Sequence, residues 1–255
     1  MPALFFVLAF VLGSVIGSFL NVCIYRIPAG QSVVFPASRC PGCLAPIRWY
    51  QNIPVVSYLL LRGRCAGCRS RISARYPLVE ALTGLLFVLV LHRFGLQWAV
   101  IVFWIFAAAL VVITFIDIDH QIIPDVISLP GIVVGFLCTF ALFPQGWISS
   151  LLGILAGGGS LYVVAAGYEF FAKKEGMGGG DIKLLAMIGA FLGWKAILPV
   201  IFISSLLGSL VGVPLMLMKQ ADGKLAIPFG PFLAAGALIY LFWGRELIQW
   251  YLSLL

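Results

Sequence analysis

The sequence predicts an all-α fold, a polytopic transmembrane helix bundle of about eight spans with one small polar insert on the cytoplasmic side. Three observations carry this. Of 255 residues, 62% are hydrophobic and 10% charged, a balance that soluble domains of this size do not show. The apolar residues gather in runs near the roughly 20 needed to cross a bilayer. The basic residues concentrate in one segment, residues 26–75, which holds eight arginines and no acid.

Taken in order, apolar runs lie at roughly 3–25, 77–91, 97–116, 126–143, 148–172, 182–193, 196–218 and 228–244. The first lacks a basic leader, and Asn21-Val22-Cys23 makes a poor cleavage site, so it is expected to remain as a span. Its Gly13, Ser14, Gly17, Ser18 and Asn21 share one face, the pattern of a close helix–helix contact. The alternative for that face is that Asn21 and Arg26 line the entrance to a site. The sixth run is short and holds Gly189 and Gly193, which suits a broken span shielded by protein.

Orientation follows from charge, because cytoplasmic loops carry the excess of lysine and arginine. With 26–75 in the cytoplasm, alternation puts 117–125, 173–181 and 219–227 on the same side, with Lys173, Lys174, Lys219 and Lys224. The net charge of +7 is then explained by anionic lipid, and nucleic acid is not needed as a partner. The expected organisation is a first transmembrane helix over 1–25, a cytoplasmic loop over 26–75 and a membrane core over 76–255.

The loop contains Cys40-x2-Cys43 and Cys65-x2-Cys68, each pair in a turn with glycine. Two such turns let four thiolates converge on one ion, and four sulfurs suit a closed, structural Zn²⁺ site. Two disulfides are disfavoured in a reducing cytosol. A loop of this size lacks apolar mass for a core of its own, so a metal staple has a physical reason. Cys23 and Cys138 lie in spans and read as small buried hydrophobes.

The chain has only nine acids, unevenly placed. Singly, each reads as a loop charge or helix cap; Asp125, after Pro124, fits the first turn of a helix. Paired, two of them stand apart. Asp117 directly follows the apolar run 97–116, and Asp181 directly precedes the run beginning at Ile182. Both are expected at the same depth on the same side. Two carboxyls close together in a low dielectric share one proton. The ionised member then draws a proton from an attacking water while the other donates to the scissile carbonyl. That chemistry uses no catalytic metal. Gly178 and Gly180, in the triple glycine before Asp181, are expected to let a peptide backbone approach closely. Lys183 is near enough in sequence to act on the pair electrostatically.

These residues carry a resemblance. Gly178-Gly179-Gly180-Asp181 reads as G-x-G-D, as in intramembrane aspartyl proteases of the presenilin class. In order, "GSFLNVCIYRIP", the paired C-x2-C loop, "RYPLVEALTG", "IDIDHQIIPD", "GMGGGDIKLLAMIGAFLGW" and "IPFGPFLAAG" resemble bacterial type IV prepilin leader peptidases over essentially the whole chain. The resemblance implies a bifunctional enzyme of the bacterial inner membrane with its site facing the cytoplasm. It would cleave the basic leader of type IV prepilins and type II secretion pseudopilins, then N-methylate the new terminus with S-adenosylmethionine as donor. The family's two essential aspartates correspond to Asp117 and Asp181, with Asp125 the runner-up for the first. On a helix Asp119 points about 200° away from Asp117.

The methyltransferase half is less legible. The glycines of "LAGGGSLY" lie inside a span, where small residues serve packing. Glu80, beside the cytoplasmic loop, is a candidate base for the amine, and Asn21 a candidate for lining that site. Two other classes compete. A secondary transporter would use intramembrane acids, but no inverted repeat is visible and the cysteines have no task. A non-catalytic scaffold with a zinc module leaves the paired acids unexplained.

Overall fold

A computed structural model describes residues 2–143, 146–173, 178–219 and 227–253. Lys174, Glu175, Asp222 and Lys224, which the sequence assigns to cytoplasmic loops, lie outside these residues. Among the described residues the chain is helical apart from loops and two isolated β-bridges. The helices are α1 (Ala3–Arg26), α2 (Val56–Leu60), α3 (Arg75–Phe94), α4 (Trp98–His120), α5 (Asp125–Cys138), α6 (Gly146–Ala172), α7 (Gly179–Leu192), α8 (Ile197–Lys219) and α9 (Gly230–Leu252). By length and composition α1, α3, α4, α6, α8 and α9 can each cross a membrane. At 14 residues apiece, α5 and α7 are about 21 Å long, short of a hydrocarbon core of roughly 30 Å.

The chain divides into two compact units, Met1–Val112 and Ile113–Leu255, with the change falling within α4. The sequence had placed its boundaries at the two ends of the cysteine loop.

In the first unit α1 packs along α3. The contact is close because small residues face each other. A Cβ on Gly13 would stand 2.8 Å from Gly84 Cα, and one on Gly17 2.8 Å from Glu80 Cα, so only glycine allows this approach. Asn21 Nδ2 donates to Gly17 O at 3.3 Å and to Tyr76 O at 3.1 Å, tying the C-terminal end of α1 to the start of α3. Between α3 and α4, Phe87 stacks on Trp104 with centroids 4.8 Å apart, and Trp104 Nε1 donates to Phe87 O at 2.9 Å. The outer face of α1, with Leu4, Val7, Leu8, Val11 and Val15, is exposed as a lipid-facing surface would be.

In the second unit α7 is the central element, packed against α5, α6 and α9. Every residue from Leu184 to Phe191 is buried, the mark of a helix apolar all round and enclosed by protein. Its shortness is therefore tolerable, since neighbouring helices rather than lipid surround it. Small residues admit it: the backbones of Gly153 in α6 and Gly189 in α7 touch, and Gly131 and Gly135 of α5 lie against Met187 and Phe191. Ser150 Oγ donates to Ala190 O at 2.8 Å across the α6–α7 contact.

Candidate active site and metal centre

The carboxyl pair is assembled by three helix ends of the second unit. Asp117 lies one turn from the end of α4 and is 5% exposed, whereas Asp119 is exposed. The helix stops just beyond, where Gln121 takes φ 54° and its N–H closes on Asp117 O at 2.9 Å. Gly230 is the first residue of α9, so its N–H is one of those a helix leaves unpaired. It donates to Asp117 Oδ2 at 2.9 Å, where the positive end of the α9 dipole favours a carboxylate. A Cβ on Gly230 would stand 2.6 Å from the same oxygen. The sequence marked "IPFGPFLAAG" as a matching segment but assigned Gly230 no part, because nothing local reveals that its amide meets a side chain 113 positions away.

Asp181 occupies the first turn of α7 and is partly buried. It lies close enough to Asp117 for the two charges to act on each other. The acids that sequence depth alone brought together thus meet in the fold, from α4 and α7.

The glycines before Asp181 divide in their roles. A Cβ on Gly180 would stand 2.9 Å from Ile123 Cβ, so the protein itself fills the space at Gly180. Among the described residues, Gly179 has nothing within 4 Å of such a Cβ, and Gly178 only the Gly180 amide nitrogen at 4.0 Å. The open side is therefore at Gly178 and Gly179. Lys183 does not turn toward the acid pair: its Nζ meets Asp125 Oδ1 at 2.7 Å and Oδ2 at 2.8 Å. This ion pair ties the first turn of α7 to the first turn of α5, and it gives Asp125 a partner away from Asp117.

In the first unit the four loop cysteines converge, with their Sγ atoms all within 4.8 Å of one another. Cys40 and Cys68 are 3.8 Å apart and Cys43 and Cys65 4.0 Å. A tetrahedral zinc with sulfurs at about 2.3 Å has S···S edges of about 3.8 Å, so the donor set fits such an ion. The two knuckles are built alike. Cys40 N bonds Ala45 O and Leu44 N bonds Cys40 O; Cys65 N bonds Ser70 O and Arg69 N bonds Cys65 O. Leu44 and Arg69 both take positive φ, 58° and 59°, and the bridges Arg39–Pro46 and Arg64–Arg71 close each turn. Amides of Cys43 and Gly42, with the Ser70 hydroxyl, pull the Cys40 thiol down to about 6. The Ser70 hydroxyl and amide lower Cys68 likewise. Metals bind thiolates, and these local dipoles favour that form at Cys40 and Cys68, whereas at Cys43, despite the lowering contact with the Ala45 amide, the neighbouring Cys68 and Cys40 thiols push the thiol up to about 11.

Glu80 is 7% exposed, and its Oε2 accepts the Val55 N–H at 2.7 Å. The Ser18 hydroxyl also bonds to its carboxylate. It therefore joins α1, α3 and the start of α2. Asn21 spends its amide on main-chain carbonyls, as described above, and serves the helix contact.

Fold and site define a class: a multi-pass helical membrane protein with an aspartyl pair at helix ends, one member buried and one partly exposed, and a four-cysteine centre. Comparison with known proteins narrows it. Residues 11–94 match the bacterial Peptidase A24 N-terminal domain, and residues 104–213 match the type IV leader peptidase family. A prepilin leader peptidase/N-methyltransferase of Aeromonas hydrophila is 39% identical over 99% of this chain and 96% of that protein. One from Neisseria gonorrhoeae is 42% identical over 91% and 88%, and one from Myxococcus xanthus 45% over 87% and 65%. No solved structure matches. The chain belongs to the type IV leader peptidase family.

Proposed function

We propose that this chain cleaves the basic leader of type IV prepilins and type II secretion pseudopilins at the cytoplasmic face of the bacterial inner membrane, and then N-methylates the new terminus. The observation that carries the reading is the meeting of Asp117 and Asp181 at the ends of α4 and α7, one buried and one reachable. Two carboxyls that feel each other's charge resist losing both protons, so the pair has a state in which one proton is shared between them. Gly230 N–H fixes one oxygen of Asp117 and leaves the other to act on water. The ionised member of the pair takes a proton from that water as it attacks the scissile carbonyl. The protonated member donates to the carbonyl oxygen, then the proton passes to the leaving amine. The peptide would lie in extended form past Gly178 and Gly179, where no described side chain stands over the backbone.

Zinc is the metal we assign to Cys40, Cys43, Cys65 and Cys68, in a structural role: four ligands leave no open position for a substrate. S-adenosylmethionine would supply an electrophilic methyl group to the neutral amine of the cleaved product. The eight arginines of residues 26–75 support a cytoplasmic loop against anionic lipid.

The test uses full-length protein in detergent with a synthetic prepilin. Asp117→Asn and Asp181→Asn are each expected to abolish cleavage while leaving the melting temperature near wild type. Cleavage retained in both variants overturns the reading.

A further inference from the structure

A cleft of about 480 Å³ opens in the first unit, and neither an aspartate nor a cysteine lines it. One wall is a stripe of α1: Val15, Ser18, Phe19, Val22 and Arg26. The other is the loop from Val33 to Ser38, with Asn52 and Pro54. Its volume falls within the roughly 300–1,000 Å³ of small-molecule sites.

One charge, Arg26, lines the cleft, and an opposite one, Glu80, lies buried behind Ser18 of its wall. Arg26 donates to Ser32 O at 2.9 Å and Pro36 O at 2.7 Å. Carbonyl partners hold the guanidinium in place without neutralising it, and three of its five N–H groups remain. Ser18, in the wall, bonds to the buried carboxylate of Glu80. The same carboxylate holds Val55 N–H at 2.7 Å, and Val55 stands at φ 62°, ψ −48°. A β-branched residue in that region is strained, and such strain persists where surrounding structure enforces it, often at a ligand site. Val55 directly follows Pro54 of the cleft wall. Beside Arg26 and Ser18 the lining is apolar, from Phe19, Val22, Val33 and Val34.

We propose that this cleft is the binding site for the methyl donor, S-adenosylmethionine, an inference that rests on the methyltransferase half of the function above. The ligand's chemistry matches the wall. It is a zwitterion with a carboxylate for Arg26, cationic groups for the Glu80 end, and a flat purine for the apolar middle. Glu80 then contributes negative charge and holds Val55, rather than acting alone as a base. A lipid chain suits the cleft less well, because Ser18, Arg26, Ser38 and Asn52 interrupt its apolar surface.

Binding can be read apart from turnover. Sinefungin, an unreactive analogue of the donor, is titrated calorimetrically into the full-length protein in nanodiscs. S-adenosylmethionine labelled in its methyl group is photo-crosslinked and mapped. Arg26→Gln and Glu80→Gln are each expected to weaken sinefungin binding by about 10- to 100-fold. Val34→Trp, at a position 67% exposed and so safe for folding, should block the cleft and remove the crosslink. Melting temperature and metal content monitor folding in each variant. Wild-type affinity in Arg26→Gln and Val34→Trp overturns the site, as does a crosslink mapped outside residues 15–54 and Glu80. If wild-type protein neither binds sinefungin nor methylates a cleaved pilin peptide, the methyltransferase reading itself falls, and the site with it.

Discussion

A Cβ at Gly230 would sit 2.6 Å from Asp117 Oδ2, inside contact distance, although the backbone N–H that bonds this oxygen would survive. Gly230→Ala is therefore expected to displace a carboxylate rather than unfold a helix. A shift of about 1 Å at a reacting group costs on the order of 10²-fold in rate. The expected result is a fall in kcat for prepilin cleavage with KM little changed, checked by steady-state kinetics on a synthetic substrate. Within the triple glycine the same logic separates neighbours. Gly180→Ala drives a methyl toward Ile123 Cβ, 2.9 Å away, an overpacking worth about 1–3 kcal/mol. Gly179→Ala meets no described residue within 4 Å and should leave stability unchanged. Thermal denaturation of the two variants side by side tests this; equal melting temperatures would contradict the assignment of Ile123 as the occupant at Gly180.

Helix ends, more than helix bodies, hold the candidate chemistry. Asp117 lies near the end of α4, Asp125 and Asp181 in the first turns of α5 and α7, and Gly230 at the start of α9. The Asp125–Lys183 pair ties two of these ends, with side chains 55% and 39% exposed. Solvent at this exposure limits its worth to at most about 1 kcal/mol. Asp125→Asn and Lys183→Met should each lower the melting temperature slightly, and the double variant no further, since both delete one interaction. Additive losses would mean that each residue acts through something else. The cysteine knuckles make a sharper forecast. Chelation should remove one zinc per chain, counted by atomic absorption, and the centre should lose metal as pH falls, because thiolates must reprotonate on release. Legibility in the sequence follows the same division. The spans, the cysteine turns and the two acids could be read because period, spacing and position beside apolar runs are local properties. The direction of Lys183, the amide of Gly230 and the filling of Gly180 by Ile123 could not, since each depends on a partner brought near only by the packed helices. Asn21 is a case where the local pattern sufficed: small residues on one face of α1 indicate a helix contact, and the Asn21 amide bonds the Gly17 and Tyr76 carbonyls there.

At the scale of the molecule, the two candidate chemistries fall in different compact units. The aspartyl pair lies in Ile113–Leu255, while Arg26, Glu80 and the four cysteines lie in Met1–Val112. The reactions are nonetheless ordered, because the amine to be methylated does not exist until the leader is removed. This combination predicts a specific dissociation. With intact prepilin as substrate, Asp181→Asn should abolish both cleavage and methylation, the second only for want of a free terminus. With a pilin peptide synthesised in its already cleaved form, the same variant should transfer methyl groups at close to the wild-type rate, measured by incorporation of label from S-adenosylmethionine. Arg26→Gln should do the converse on the pre-cleaved peptide, losing incorporation. If Asp181→Asn also fails on the pre-cleaved peptide with its fold intact, the aspartate serves both reactions and the division of labour between the units is wrong.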